Sequence, residues 1–263
     1  MNSHSLALIG ELLSKEIFIL NTFAFNEDDI IKGLDYNPKK LRLGHQLEHF
    51  FQFLIDNSYY ETLVSNLQII ENKITIGELD FILRDTITNQ IIHVEIATKF
   101  YLYDPSFEDE LKCWIGPNRK DSLIQKMDKL QEKQFPLLYH NQTIAVLKKM
   151  GVDVLQIRQA IDFRAQLFVP FQLLETKLPY VDRENIAGCY LPIIDFTTDY
   201  YQEQQYYLPE KSDWLVDPKN NKEWVPFLEV LSKITNSLSK KQSPMLWMKT
   251  KDNVYRKLFI IWW

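Results

Sequence analysis

The chain has few of the residues that loosen or staple a fold. Of 263 residues only 7 are glycine and 2 are cysteine. Cys113 and Cys189 stand in unrelated contexts, which argues against a disulfide framework or a cysteine-based zinc knot and suits a reducing cytoplasm. No run approaches the about 18 apolar residues of a membrane span. The opening MNSHSLALIGELLSKE lacks a basic stretch and is interrupted by Glu11 and Glu16, so no secretory leader is expected. Positive charge is also scarce: the net charge is −5. Nucleic acid would therefore have to be met by a local basic surface against an acidic background. Repeats, low-complexity tracts and flexible linkers are missing.

What is present is core material, with 46 % hydrophobic and 13 % aromatic residues. Residues 5–32 read as a helical segment, broken by Asn37-Pro38-Lys39-Lys40. Residues 41–56 read as a helix whose buried stripe is Leu43, Leu47, Phe50 and Leu54. Three β-like runs follow, TLVSNLQII, ITIGELDFILRD and QIIHVEIATKFYLY, with breaks short enough for hairpins. A second helix is expected from Arg119 to Gln134, with Asn118 as N-cap, and a later strand at DFRAQLFVPFQ. Residues 173–263 are rich in Trp, Tyr and Pro with few clear periods. The expected organisation is α/β: a core within residues 1–172, carrying the N-terminal helical segment, and a C-terminal elaboration, 173–263, packed on it as one structural unit.

The stretch LGHQLEHFF, residues 43–51, admits two readings. His45-x-x-Glu48-His49 is the string of an inverted zinc peptidase, with both imidazoles on one helix face. No third ligand is identified for it. Alternatively, Gly44-x-x-x-Glu48 is an amphipathic helix that hands one carboxylate to a site built elsewhere, with the histidines on its solvated face.

Strand alternation favours the second reading. Leu79, Phe81 and Leu83 share one face of their strand, and Glu78 and Asp80 share the other with Ile74, Ile76 and Ile82. In the next strand Ile92, Val94, Ile96 and Phe100 form an apolar face with Thr98, opposite His93, Glu95, Ala97, Lys99 and Tyr101. A short hairpin would bring Asp80 and Glu95 together. Carboxylates on apolar strands are costly unless a cation compensates them. A solvated edge strand would account for any single one of these acids, but the flanking runs are too apolar for a plain surface strand. His93 is read as a strand-surface histidine or as a helper at the site.

These residues resemble a known pattern. GELDFIL followed by HVEIATKF is similar to the core of the PD-(D/E)xK, or restriction-endonuclease-like, nuclease superfamily. The nearest flavour is that of Holliday-junction-resolvase-like members with G-E-I-D and V-E-V-K strands and an upstream G-x-x-x-E helix, matched by Gly44 and Glu48. The likeness spans roughly residues 41–170. Through IGPNRKD and DFRAQLFVPF the chain also resembles an uncharacterised bacterial family placed in that superfamily.

The resemblance implies a restriction-endonuclease-like core of helix, three-stranded antiparallel meander, helix and strand. It implies Asp80 and Glu95 as metal-binding carboxylates, Glu48 as the helix-borne third, and the carbonyl of Ile96 as a further ligand. The metal would be Mg²⁺ or Mn²⁺, which favour hard oxygen ligands. The reaction would be phosphodiester hydrolysis, with DNA a better expectation than RNA. The pattern departs at Ala97, where the superfamily places lysine. Lys99 lies two residues on, about 6.6 Å along the same face at strand rise, and could reach back; a lysine from elsewhere could also substitute. A degenerate site is the remaining reading, a nuclease-like fold that binds nucleic acid or a protein without cutting.

Substrate contact is expected on the helix after Gly116-Pro117-Asn118. Leu123, Met127 and Leu130 make its buried stripe, while Arg119, Lys126 and Lys133 recur on another face beside Lys129. Arg119 and Lys120, with backbone amides after Asn118, would add charge toward a phosphate. The plain alternative is a solvated face, to which Asp121, Asp128 and Glu132 also belong. The aromatic residues of the C-terminal stretch, from Tyr200 to Trp263, offer either stacking platforms for bases or ordinary packing.

Overall fold

Apolar residues that alternate along residues 60–103 build three consecutive strands, and the same principle organises the rest of the chain. The computed structural model describes residues 7–8, 23, 41–176, 178, 181 and 183–263. The expected helical segment 5–32, apart from those three positions, and the break at 37–40 lie outside the described residues. Helix α1 (Leu43–Asp56) precedes β1 (Tyr60–Glu71), β2 (Ile74–Asp85), β3 (Ile91–Tyr103) and the short β4 (Trp114–Ile115). Next come α2 (Leu123–Lys129), α3 (Asn141–Lys149) and β5 (Ile157–Pro170). The C-terminal stretch forms β6 (Ile186–Pro192), β7 (Gln205–Tyr207), β8 (Val225–Pro226), α4 (Phe227–Ser239), β9 (Met245–Lys249) and β10 (Tyr255–Ile261). Strands of two to seven residues are too short for a readable period, so the sequence gives little sign of β6 to β10.

The protein is mixed α/β with a large mixed sheet. Its contacts divide into two compact units that interleave along the chain rather than meeting at one position. Among the described residues the first comprises 8, 23, 41–98 and 125–164; the second comprises 7, 99–124, 165–176, 178, 181 and 183–263.

In the first unit β1 and β2 form a long antiparallel hairpin, from Tyr60 opposite Asp85 to Glu71 opposite Ile74. Its two-residue turn places Asn72 at φ 50° and Lys73 at φ 65°. Both are left-handed, as a turn matching the strand twist requires. β2 then pairs antiparallel with β3 between Arg84↔Ile91 and Phe81↔Val94. Phe51 and Ile55 of α1 bury against Phe81, Leu83, Ile92, Val94 and Ala160. Val64, Ile69 and Ile82 instead meet Leu137, Leu138 and Leu147, from the helical stretch after α2 and from α3. α1 and that stretch thus take opposite faces, as the alternation of Phe81 and Ile82 dictates.

In the second unit β5–β6 and β6–β10 are parallel, and β10–β9, β9–β7 and β7–β8 are antiparallel. α4 buries Phe227, Val230 and Ile234 against Leu246, Met248, Leu258 and Ile260. The other face is aromatic, with Phe168, Trp214 and Phe259 in edge-to-face contact. Gly188 of β6 has no room for a side chain: a Cβ would stand 2.2 Å from the Lys257 carbonyl oxygen.

The helix expected from Arg119 begins at Leu123 instead. Residues 116–121 close a loop, because Gly116 N–H donates to the Asp121 carbonyl and Arg119 N–H to that of Gly116. Arg119 is left-handed at φ 54°. Asn118 caps no helix; its side-chain oxygen accepts the Ser243 N–H at 2.7 Å.

Candidate functional site at the fork of two strands

The β2–β3 ladder stops at Phe81↔Val94, and one residue further on each strand carries an acid. Asp80 Oδ2 accepts the Ile96 N–H at 2.9 Å, filling a bond the ladder no longer supplies. Asp80 and Glu95 thus meet at the fork. Burial first, and then the Glu95 charge, push the Asp80 carboxyl up to about 7. The Ile96 N–H and the ammonium of Lys126 oppose that rise, and Glu78 adds slightly to it.

Glu95 is fully buried and both its oxygens are engaged. Oε1 lies 3.0 Å from His93 Nε2, and Oε2 accepts a short hydrogen bond from the Gln134 amide. Gln134 Oε1 in turn accepts from Lys126 Nζ at 2.8 Å. Behind His93, the Gln159 amide nitrogen sits 3.0 Å from His93 Nδ1 and 2.8 Å from the Phe135 carbonyl. An amide nitrogen only donates, so Nδ1 accepts and the Nε2 proton points at Glu95. The chain of bonds from Gln159 to Lys126 holds Glu95 in one orientation.

Gln134 reaches this place through a π-helical turn. α2 passes directly into Leu130–Gln134, which is π-helical, before the 3₁₀ turn Pro136–Tyr139. Such turns are rare and cluster at functional sites. Gln134 and Gln159 were not legible as site residues, because neither belongs to a motif; the charge of Lys126 was visible, its place beside Asp80 was not.

The other expected residues are distributed differently. Glu48 is held by its own helix neighbour, with Oε2 3.1 Å from His45 Nδ1. α1 packs on the Phe81 face, whereas alternation points Asp80 to the other. His45 and His49 are exposed, and among the described residues no group of three His, Cys, Asp or Glu could hold a metal ion. Lys99 lies in the second unit and pairs with Asp121 Oδ2 at 2.6 Å. Arg119 pairs with Asp104 at 3.0 Å and lies 4.4 Å over the Trp263 ring. Lys120, Lys129 and Lys133 are exposed, and Lys126 is half-buried.

The fork offers two carboxylates, the type of donor a hard divalent cation takes, but among the described residues no third His, Cys, Asp or Glu joins them. The two stand together, and Asp80 is raised first by its burial and then by the charge of Glu95. Mg²⁺ commonly takes one or two carboxylates and completes its shell with water and phosphate oxygens.

The family model described as Domain of unknown function (DUF1853) matches residues 19–257, so the chain belongs to that family. No curated protein and no solved structure matches it.

Proposed function

We propose that this member of the DUF1853 family is a divalent-metal-dependent phosphodiesterase of nucleic acid, DNA before RNA, with a PD-(D/E)xK-like site. The observation that carries the reading is the Asp80–Glu95 pair at the strand fork, with Lys126 acting on it. The order of helix, antiparallel meander, helix and strand around that fork supports the same kinship with restriction-endonuclease-like folds. Asp80, Glu95 and the Ile96 carbonyl would hold Mg²⁺ or Mn²⁺. The bound ion would polarise the scissile phosphate and lower the pKa of the attacking water.

His93 and Gln134 fix the Glu95 carboxylate by one bond to each oxygen, and Gln159 fixes His93. Lys126, steered by Gln134, supplies the positive charge that the superfamily draws from the position of Ala97. It takes the part expected of Lys99, whose ammonium is engaged by Asp121. Lys129 and Lys133, exposed on the same helical stretch, are the phosphate-backbone contacts of this reading.

The test is digestion of single-stranded, duplex and branched DNA and of RNA, with Mg²⁺, Mn²⁺ or chelator. Asp80→Asn and Glu95→Gln should remove most cleavage. Lys126→Ala should lower the rate by about 10²–10³, the usual cost of losing one charge-stabilising group. Lys99→Ala should stay within a few-fold of wild type. Metal-independent cleavage, or equal losses at Lys99 and Lys126, would sink the assignment.

The second reading is a nuclease-like module that binds nucleic acid or a protein without cutting. Ala97 and the engagement of Glu48 by His45 favour it. Divalent-metal binding without cleavage of any of these substrates would decide for it.

A further inference from the structure

Three separate stretches of the second unit are tied together at one carbonyl. The Pro117 oxygen, in the loop 116–121, accepts the Ser243 hydroxyl at 2.7 Å and the Trp263 indole Nε1–H at 3.1 Å. Asn118 Oδ1 accepts the Ser243 N–H at 2.7 Å. The loop, the turn after α4 and the residues after β10 therefore form one place on the molecule.

That place sets cations against indoles. The Arg119 guanidinium lies 4.4 Å over the Trp263 ring, and the Lys241 ammonium lies 5.5 Å from the ring centre of Trp262. A cation so placed is attracted by the ring face. Lys120 follows the first of these cations in the chain and Lys240 precedes the second; all four side chains are exposed, and both tryptophans are half-buried. Of the four, Arg119 alone pairs with an acid, Asp104, among the described residues. Tyr190 packs on Trp263 with ring centroids 5.8 Å apart, and its hydroxyl donates to the Tyr103 carbonyl at 2.6 Å. The Trp263 ring is thus held by its own N–H and by a neighbour that is itself tethered. The residues that carry the two stacked cations, Arg119 and Lys241, are both left-handed at φ 54°, which is uncommon for long side chains.

The chemistry that fits this surface is a strand of nucleic acid with unpaired bases. Its phosphates answer the cations, and its bases are flat faces that stack on indole whatever their sequence. A duplex hides those faces and would engage the cations alone. An acidic peptide repeats charge without repeating rings. On a chain of net charge −5, four cations gathered around two indoles make the local basic surface that a polyanion requires.

We propose that the second unit carries a binding surface for single-stranded nucleic acid, formed by Arg119, Lys120, Lys240, Lys241, Trp262 and Trp263. It rests on the nucleic-acid part of the proposed function and not on metal binding or cleavage.

Anisotropy of a fluorescent oligothymidylate, titrated with the full chain in chelator, tests this. The wild type should bind it more tightly than a duplex of the same length. Lys120→Ala, Lys240→Ala and Lys241→Ala together should flatten the log–log salt slope by about 2.1, at about 0.7 per single-strand contact. Trp263→Ala should weaken binding by about 5- to 150-fold, the usual cost of losing one stacked base. Should Trp263→Ala fail to fold, the triple lysine variant, altered only at exposed side chains, carries the comparison. A chain that binds the oligonucleotide through these lysines but cuts nothing upholds the surface and sinks the phosphodiesterase reading. An unchanged salt slope in the triple variant overturns the proposal. So does a duplex bound as tightly as the single strand, or binding to anionic phospholipid vesicles in place of the oligonucleotide.

Discussion

At Asp80 the charge state is set by burial and Glu95 on one side and by Lys126 and the Ile96 N–H on the other. The folded carboxyl titrates at about 7, against 3.8 for the ordinary side chain. Between those values the folded state keeps a proton that the unfolded state has released. Stability therefore falls as pH rises from about 4 to about 7 and is level above that. Asp80→Asn retains an oxygen for the Ile96 N–H and removes the titration. In chelator, it should unfold at higher urea than wild type at pH 8, with the gap closing toward pH 4. A gap independent of pH would overturn the raised Asp80 carboxyl. The pairing of Asp80 with Glu95 was legible, because a period of two fixes faces and a short hairpin fixes proximity. The partners of Glu95 were not, because they come from far along the chain: Gln134 lies 39 residues away, and Gln159 reaches it only through His93.

In the helical stretch from Leu123 to Tyr139 the α-helical period holds only as far as the π turn at Leu130–Gln134. Its first turns follow the expected stripe, with Leu123, Met127 and Leu130 buried. The π turn then admits an extra residue, and the phase carried forward from Leu123 no longer applies at Gln134. Gln134→Leu should accordingly destabilise the protein by about 1–3 kcal/mol, since it strips a donor from buried Glu95 and an acceptor from Lys126. Equilibrium urea unfolding measures this, and a loss below a few tenths of a kcal/mol would remove Gln134 from the network. The same stretch starts later than a cap at Asn118 predicts, for a local reason. Asn118 has the chemistry of a cap, but its oxygen is taken by Ser243, a partner 125 residues away that no local pattern announces.

Across the whole molecule, the net charge of −5 leaves exposed lysines as the places where a polyanion could attach. Lys129 and Lys133 are exposed, whereas Lys126 is committed to Gln134. If each exposed lysine neutralises one duplex phosphate, Lys129→Ala with Lys133→Ala should flatten the log–log salt slope of DNA binding by about 1.8, at about 0.9 per contact. An unchanged slope would return both lysines to ordinary solvation. The mixed α/β class was legible from alternation and helical spacing, but not the division into units, since three separate chain segments compose the second one. That interleaving bears on how such a gene can change. One crossover at codon 165 would exchange residues 165–263 and leave 99–124 behind, splitting the second unit between two parents. Neither unit can be traded by a single recombination event, so the two are inherited, and must diverge, as a pair.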